Sequence, residues 1–192
     1  RGTDGHKFLV GRVTELGKEA KADNITGLRK EVRFQYDAEE ILRDRPESIH
    51  YMMRIGIDNF KEINEKEGIE AGDTVLRELA DCIVATVDQG VDVYRLMADE
   101  FMIVDTVPGS NTDVRAVYDE IKNKVAETVR RKEYSCFYTI SAGVIKDDFE
   151  GTGAEEILRL TEFALNEAKR NGRNQMALFN REAYNDYLKR LD

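Results

Sequence analysis

Asp99 and Glu100 are adjacent carboxylates just past Met97-Ala98, in a stretch from Arg95 to Phe101 that reads as strand, tight turn, strand. Carboxylates are hard oxygen ligands of the kind that suits a divalent cation such as Mg2+. Asp58 follows Gly56 by two positions at the end of a strand-like run. It either continues the face of Gly56 or caps a helix starting at Phe60, and the cap is the simpler reading. Lys61 lies near that helix start, a natural seat for phosphate. Lys169 and Arg173 are four apart, which on one helix face would let both reach the same anion. Taken singly, each of these cations is more often a solvated surface charge.

These residues need elements to hold them. The spacing predicts a helix over 30–43 with Val32, Tyr36 and Ile41 broadly on one side, then a strand over 49–57. A helix starts at Phe60, and a longer one follows Gly72, with Val75, Leu76, Leu79, Ala80, Ile83, Val84 and Val87 recurring at helical period as a core stripe. Short strands over 91–96 and 100–105 flank the turn. Further on come a helix over 112–130, a strand over 136–145, a helix over about 154–170 stopped by Gly172, a short strand at 175–179 and a helix over 180–190. Helices and strands mixed in this way, with one hairpin, predict a layered α/β sandwich.

Composition narrows the function classes. The chain has 192 residues, 41% hydrophobic, enough for one domain with a real core. Its net charge of −9 argues against a grip on a nucleic-acid backbone, which needs a basic face, but leaves room for a small nucleotide held by local cations. Cys82 and Cys136 are far apart and read as buried thiols; with His6 and His50 isolated, no zinc spacing exists. No run approaches the ~18 apolar residues of a membrane span, and no signal peptide is visible, so this segment is expected to be cytosolic and free of membrane contact.

Four motifs occur in order. They are Asp23-Asn24-Ile25-Thr26-Gly27-Leu28; Asp58-Asn59-Phe60-Lys61-Glu62-Ile63-Asn64 with Gly72-Asp73 after it; Met97-Ala98-Asp99-Glu100-Phe101; and Ala168-Lys169-Arg170-Asn171-Gly172-Arg173-Asn174. Through them the chain resembles, over roughly Asp23 to Phe179, the GGDEF family of bacterial signalling domains. Active members of that family join two GTP molecules into cyclic di-GMP. The resemblance implies a ferredoxin-like, nucleotide-cyclase palm core: an α/β (α+β) sandwich with a mixed, mostly antiparallel sheet of about five strands flanked by helices. It also implies Mg2+ or Mn2+ as cofactor, GTP as ligand, and work as a homodimer or beside tandem sensor or phosphodiesterase domains. By the same resemblance, Asp99 and Glu100 are the catalytic acidic pair, and the metal is held by them, the Ile57 carbonyl and an Asp at the end of the first strand. Asn64 and Asp73 match the guanine-reading pair, since a carboxylate accepts from the guanine N1–H and N2–H2 and an amide completes the edge. Phe60, Lys61, Lys169 and Arg173 complete the nucleotide-binding set.

The chain departs from the family where the chemistry happens. Gly56 stands where the first-strand Asp belongs, leaving Asp58 as a partial substitute or a cap. Met97-Ala98 replaces Gly-Gly, although such turns often need φ > 0, and Met97 would lie where the nucleotide goes or pack over the cleft as apolar filler. Ile69 replaces a His. The inhibitory R-x-x-D site has no Arg in Val87–Asp92. The expected layout is a linker over 1–22 similar to the end of a PAS sensor domain, or else a disordered tail; a GGDEF-like domain over 23–179; and a C-terminal helix or linker over 180–192. Three functions follow as alternatives: a degenerate, GTP-binding regulatory domain, an active dimeric diguanylate cyclase, and a scaffold that binds no nucleotide.

Overall fold

The computed structural model describes residues 22–131 and 137–192. The PAS-like reading of the first residues and the environment of Cys136 lie outside them.

Strand β2 (Tyr51–Ile57) is the axis of the molecule. Its side chains alternate between two cores. Tyr51, Met53, Ile55 and Ile57 enter one, and Met52 enters the other, with Arg54 and Gly56 next along that second face. Strands β1 (Arg29–Lys30), β3 (Asp92–Arg95), β4 (Glu100–Asp105), β5 (Ile140–Ile145) and β6 (Met176–Leu178) complete a six-stranded sheet in the order β1-β3-β4-β2-β5-β6. The pairs β3–β4, β4–β2 and β2–β5 are antiparallel, and the two outer pairs are parallel.

Helices cover both faces. Those named here are α1 (Glu31–Asp44), α2 (Phe60–Glu67), α3 (Ile69–Thr86), α4 (Val114–Arg131), α5 (Ala154–Arg170) and α6 (Arg181–Lys189). Leucines, isoleucines and valines of α3 and α4 fill the first core; Phe34, Ala38, Ile41 and Leu42 of α1 and Ile157 and Leu160 of α5 fill the second. The buried stripe of α1 therefore runs at i, i+4, i+7 and i+8 from Phe34, and the expected Val32 and Tyr36 fall on the solvent side. Val84 is likewise exposed, and Cys82 is a buried free thiol. Among the described residues no helix is long and apolar enough to cross a membrane.

Glycine lets α5 approach the sheet. A Cβ at Gly143 would collide with the backbone of Thr161, Ala164 and Leu165, so α5 lies directly on β5. That contact brings the last turn of α5, with Lys169, over the end of β2. Residues 137–139 carry no strand; regular pairing starts at Ile140. The two-residue β1 was not expected, because Arg29-Lys30 has no apolar signature; it is defined by its pairing with Tyr94 and Arg95.

Candidate functional site

The C-terminal end of β2, the β3–β4 turn and the end of α5 meet in one cleft. Ala98 takes the left-handed φ of 58° that the turn requires, and the turn closes through Glu100 N–H to the Met97 carbonyl at 3.3 Å. Met97 projects into solvent, 73% exposed, so it is not packed over the cleft as filler. Its N–H donates to Glu31 Oε2 at 3.2 Å, which ties the turn to the start of α1.

The turn is braced from behind. Asp23 accepts from Ile25 N–H, from Thr26 N–H and Oγ1, and from Arg95 Nη1 at 2.8 Å. Arg95 Nη2 in turn donates to the Ala98 carbonyl at 2.7 Å. The Asp23–Leu28 motif is thus a compact turn that fixes, through one arginine, the conformation of the residue before the acidic pair. Burial disfavours ionisation of Asp23, but the hydrogen bonds from Arg95 and Thr26 and the Arg95 charge outweigh it and hold the carboxyl below its ordinary value.

Each carboxylate of the cleft already has partners. Arg54 Nε donates to Glu100 Oε2 at 2.6 Å, Nη2 reaches the same oxygen, and Nη1 donates to the Leu158 carbonyl at 2.9 Å. This ion pair is largely buried, with side-chain exposures of 12% and 18%. The two residues meet because Arg54 pairs with Met102 across β2–β4 and Gly56 with Glu100, on one face of the sheet. Asp99 Oδ2 accepts the Ile57 N–H at 3.0 Å. Burial pushes the Asp99 carboxyl up, opposed by the nearby Lys169 charge and the Ile57 N–H.

Asp58 is 3% exposed and is not the helix cap expected from its position. The N-cap of α2 is Asn59, with φ 55° and no side-chain cap bond. Asp58 instead accepts from Thr139 Oγ1 at 2.6 Å, Ser141 Oγ at 2.7 Å and Asn174 N–H at 3.1 Å, crossing to β5 and to the segment after α5. Both its oxygens are used there. Gly56 leaves an open face, and Lys169 fills it: a Cβ placed at Gly56 would lie 3.3 Å from Lys169 Nζ and 3.5 Å from its Cε. Among the described residues no three His, Cys, Asp or Glu side chains are grouped so as to hold a metal ion.

The other site residues divide. Asn64 of α2 packs its amide oxygen directly over Gly72 of α3, where a Cβ would collide with it, one residue before Asp73; the Phe60 ring sits against the same glycine. Lys61 is 88% exposed and pairs with Glu65 at 3.6 Å. Arg173 does not share a helix face with Lys169. The helix stops at Arg170, Gly172 takes φ 116°, and Arg173 is itself left-handed at φ 63°, its N–H closing onto the Ala168 carbonyl at 3.1 Å. Gly172, expected to stop the helix, thereby removes the i,i+4 geometry expected of the two cations.

Sequence reasoning missed Arg54, Glu31, Arg95, Thr139 and Ser141. Arg54 carried a signal, a lone charge inside the apolar run Tyr51–Ile57, where a buried arginine requires a carboxylate. Thr139 and Ser141 depend on the β2–β5 register, and Glu31 and Arg95 on packing against the turn; none of the four had a signal.

The comparisons fit this geometry. The family model "Diguanylate cyclase, GGDEF domain" matches residues 20–175. Diguanylate cyclase A of Treponema denticola is 33% identical over 144 residues, covering 70% of this chain and 36% of that protein. Diguanylate cyclase DosC of Escherichia coli is 31% identical over 126 residues, covering 65% of this chain, which spans only 27% of that relative's length. Among solved structures, the GGDEF domain of PA1120 (TpbB or YfiN) from Pseudomonas aeruginosa superposes with a TM-score of 0.71 at 25% identity, covering 83% of this chain and 94% of that one. The coiled coil and GGDEF domain of DgcB from Caulobacter crescentus, solved in complex with c-di-GMP, shares the fold with a TM-score of 0.70 at 19% identity, over 92% of this chain and 94% of that one. With its six-stranded mixed sheet and the family model matching residues 20–175, the chain belongs to the GGDEF family, the domain of cyclic di-GMP signalling proteins.

Proposed function

We propose that this domain binds GTP as a regulatory ligand and is catalytically weak or inactive. One observation carries the reading: both members of the acidic pair are engaged within the protein, Glu100 by Arg54 and Asp99 by the Ile57 N–H, while Gly56 supplies no third carboxylate. The donor set does not fit a divalent cation, because one oxygen of each acid is already taken, the third carboxylate is missing, and the ion would sit beside the Arg54 and Lys169 charges. Asp58 does not repair the set, since Thr139, Ser141 and Asn174 occupy its oxygens.

The guanine end is in better order. Asn64, held over Gly72, and the adjacent Asp73 present an amide and a carboxylate to a base edge. Phe60 backs that end, and Lys169 faces the phosphates at the other, with Lys61 and Arg173 as exposed cations around them. GTP bound there biases a neighbouring sensor or phosphodiesterase domain only insofar as its affinity differs between two states of the whole protein.

A second reading, an active cyclase working as a dimer with one GTP per subunit, draws on the intact Asp99-Glu100-Phe101. Chromatography of the purified domain incubated with GTP and Mg2+ or Mn2+ separates the two. No cyclic di-GMP above a no-protein control is expected. Multiple turnovers per chain would establish the cyclase reading instead.

A further inference from the structure

Lys169 stands where a cation would otherwise have to be supplied. Its Nζ lies 3.3 Å from the position of a Cβ on Gly56, over the end of β2, and its charge acts on Asp99. It makes no hydrogen bond or ion pair among the described residues, so its donors remain available to a ligand. It is half-buried, and its backbone is fixed because α5 lies against the backbone at Gly143. A side chain at position 56 would crowd it, so the glycine that removes an acidic ligand also makes room for the ammonium. The second charge in the cleft, Arg54, has already neutralised Glu100. A divalent ion entering here meets the Arg54 and Lys169 charges, an acidic pair whose Glu100 Oε2 and Asp99 Oδ2 already accept hydrogen bonds, and no carboxylate at position 56.

We infer that Lys169 takes the place of the divalent cation, so that this domain binds the nucleoside triphosphate as the metal-free polyanion. The inference rests on the GTP-binding reading above and adds to it the form of the ligand. A compact ammonium can contact a phosphate oxygen as a point charge, which a triphosphate lacking its metal requires.

The test is a calorimetric titration of the domain with GTP, once with EDTA and once with excess Mg2+. The expected dissociation constants agree within about threefold, or favour the chelated buffer. A loss of about tenfold or more on chelation overturns the inference and leaves GTP binding standing. Absence of binding in both buffers overturns both readings. Two variants sharpen the result, with folding checked by circular dichroism. Lys169→Gln is expected to weaken binding in EDTA, and unchanged affinity counts against the inference. Gly56→Asp gives Lys169 a carboxylate partner and is expected to make GTP binding depend on Mg2+; affinity still independent of Mg2+ in that variant would contradict the role given to Gly56. A readout without nucleotide is the Mn2+ paramagnetic resonance spectrum of the protein. Full signal of the free ion is expected with the natural chain, and a bound-ion spectrum at the cleft overturns the inference.

Discussion

Asp23 and Asp99 respond to burial in opposite ways. Asp23 has a cation and three further donors at close range, so its carboxyl is held down, and its contribution to stability is complete above the ordinary value of about 3.9 and fades as pH falls through the lower folded value. Asp23→Ala leaves Arg95 buried without its partner, and a loss of about 3 kcal/mol in chemical denaturation at neutral pH is expected, shrinking in acid. A loss that is the same at both pH values would show that the ion pair is not its source. Asp99 is pushed up by burial, so relative to an unfolded Asp it favours folding below about 3.9 and costs stability as pH rises through the folded value. Asp99→Asn keeps an acceptor for the Ile57 N–H and is expected to raise the melting temperature at neutral pH with no gain in strong acid. A lowered melting temperature at neutral pH would contradict the assignment. At this scale the sequence was legible wherever a motif named a residue, and silent where the partner came from another strand. Asp58 was visible as an unusual acid, but Thr139 and Ser141, which decide what it does, meet it only through the β2–β5 register.

The β3–β4 hairpin is an element held in shape against a local preference. Ala98 occupies a left-handed conformation that glycine adopts freely and that costs an L-residue roughly 1 kcal/mol. The Arg95 contact to its carbonyl and the Glu31 contact to Met97 hold it there. Ala98→Gly is therefore expected to stabilise the domain by about 1 kcal/mol or less, because glycine relieves the strain but raises the entropy of the unfolded chain. Destabilisation would mean that the Ala98 methyl group packs favourably. Helices α2 and α4 to α6 and the interior strands were readable from period and punctuation, and α5 ends at its expected Arg170; α3 was expected to follow Gly72 but starts at Ile69 and runs through that glycine. Element ends resisted where pairing, not propensity, defined them: β1 is two residues of arginine and lysine, and β5 starts four residues later than its apolar run. The face of α1 was misread because Val32 and Tyr36 are hydrophobic and yet exposed; Phe34 and Ala38 set the stripe.

At the scale of the whole molecule the two halves of the cleft have diverged. One half keeps the Asn64 amide over Gly72, next in the chain to Asp73, and the other has its acids bound to the protein's own arginine, backbone and hydroxyls. The four motifs announced the family because each also has a structural task, such as the Asp23 turn that braces the hairpin. The state of the acidic half was only partly announced: Gly56 and Met97-Ala98 were visible departures, but the capture of Glu100 by Arg54 needed the fold. The central claim, a surviving guanine pocket in a domain that does not turn over, is tested most directly by the melting temperature as GTP is titrated to millimolar levels, with ATP as control, in the natural chain and in the Asn64→Ala/Asp73→Ala double variant. A ligand that binds only the native state raises the midpoint in proportion to ln(1 + [L]/Kd) once saturation begins. The account predicts a rise with GTP that is absent with ATP and absent in the double variant. An unmoved midpoint in the natural chain, or an equal rise in the variant, would contradict it.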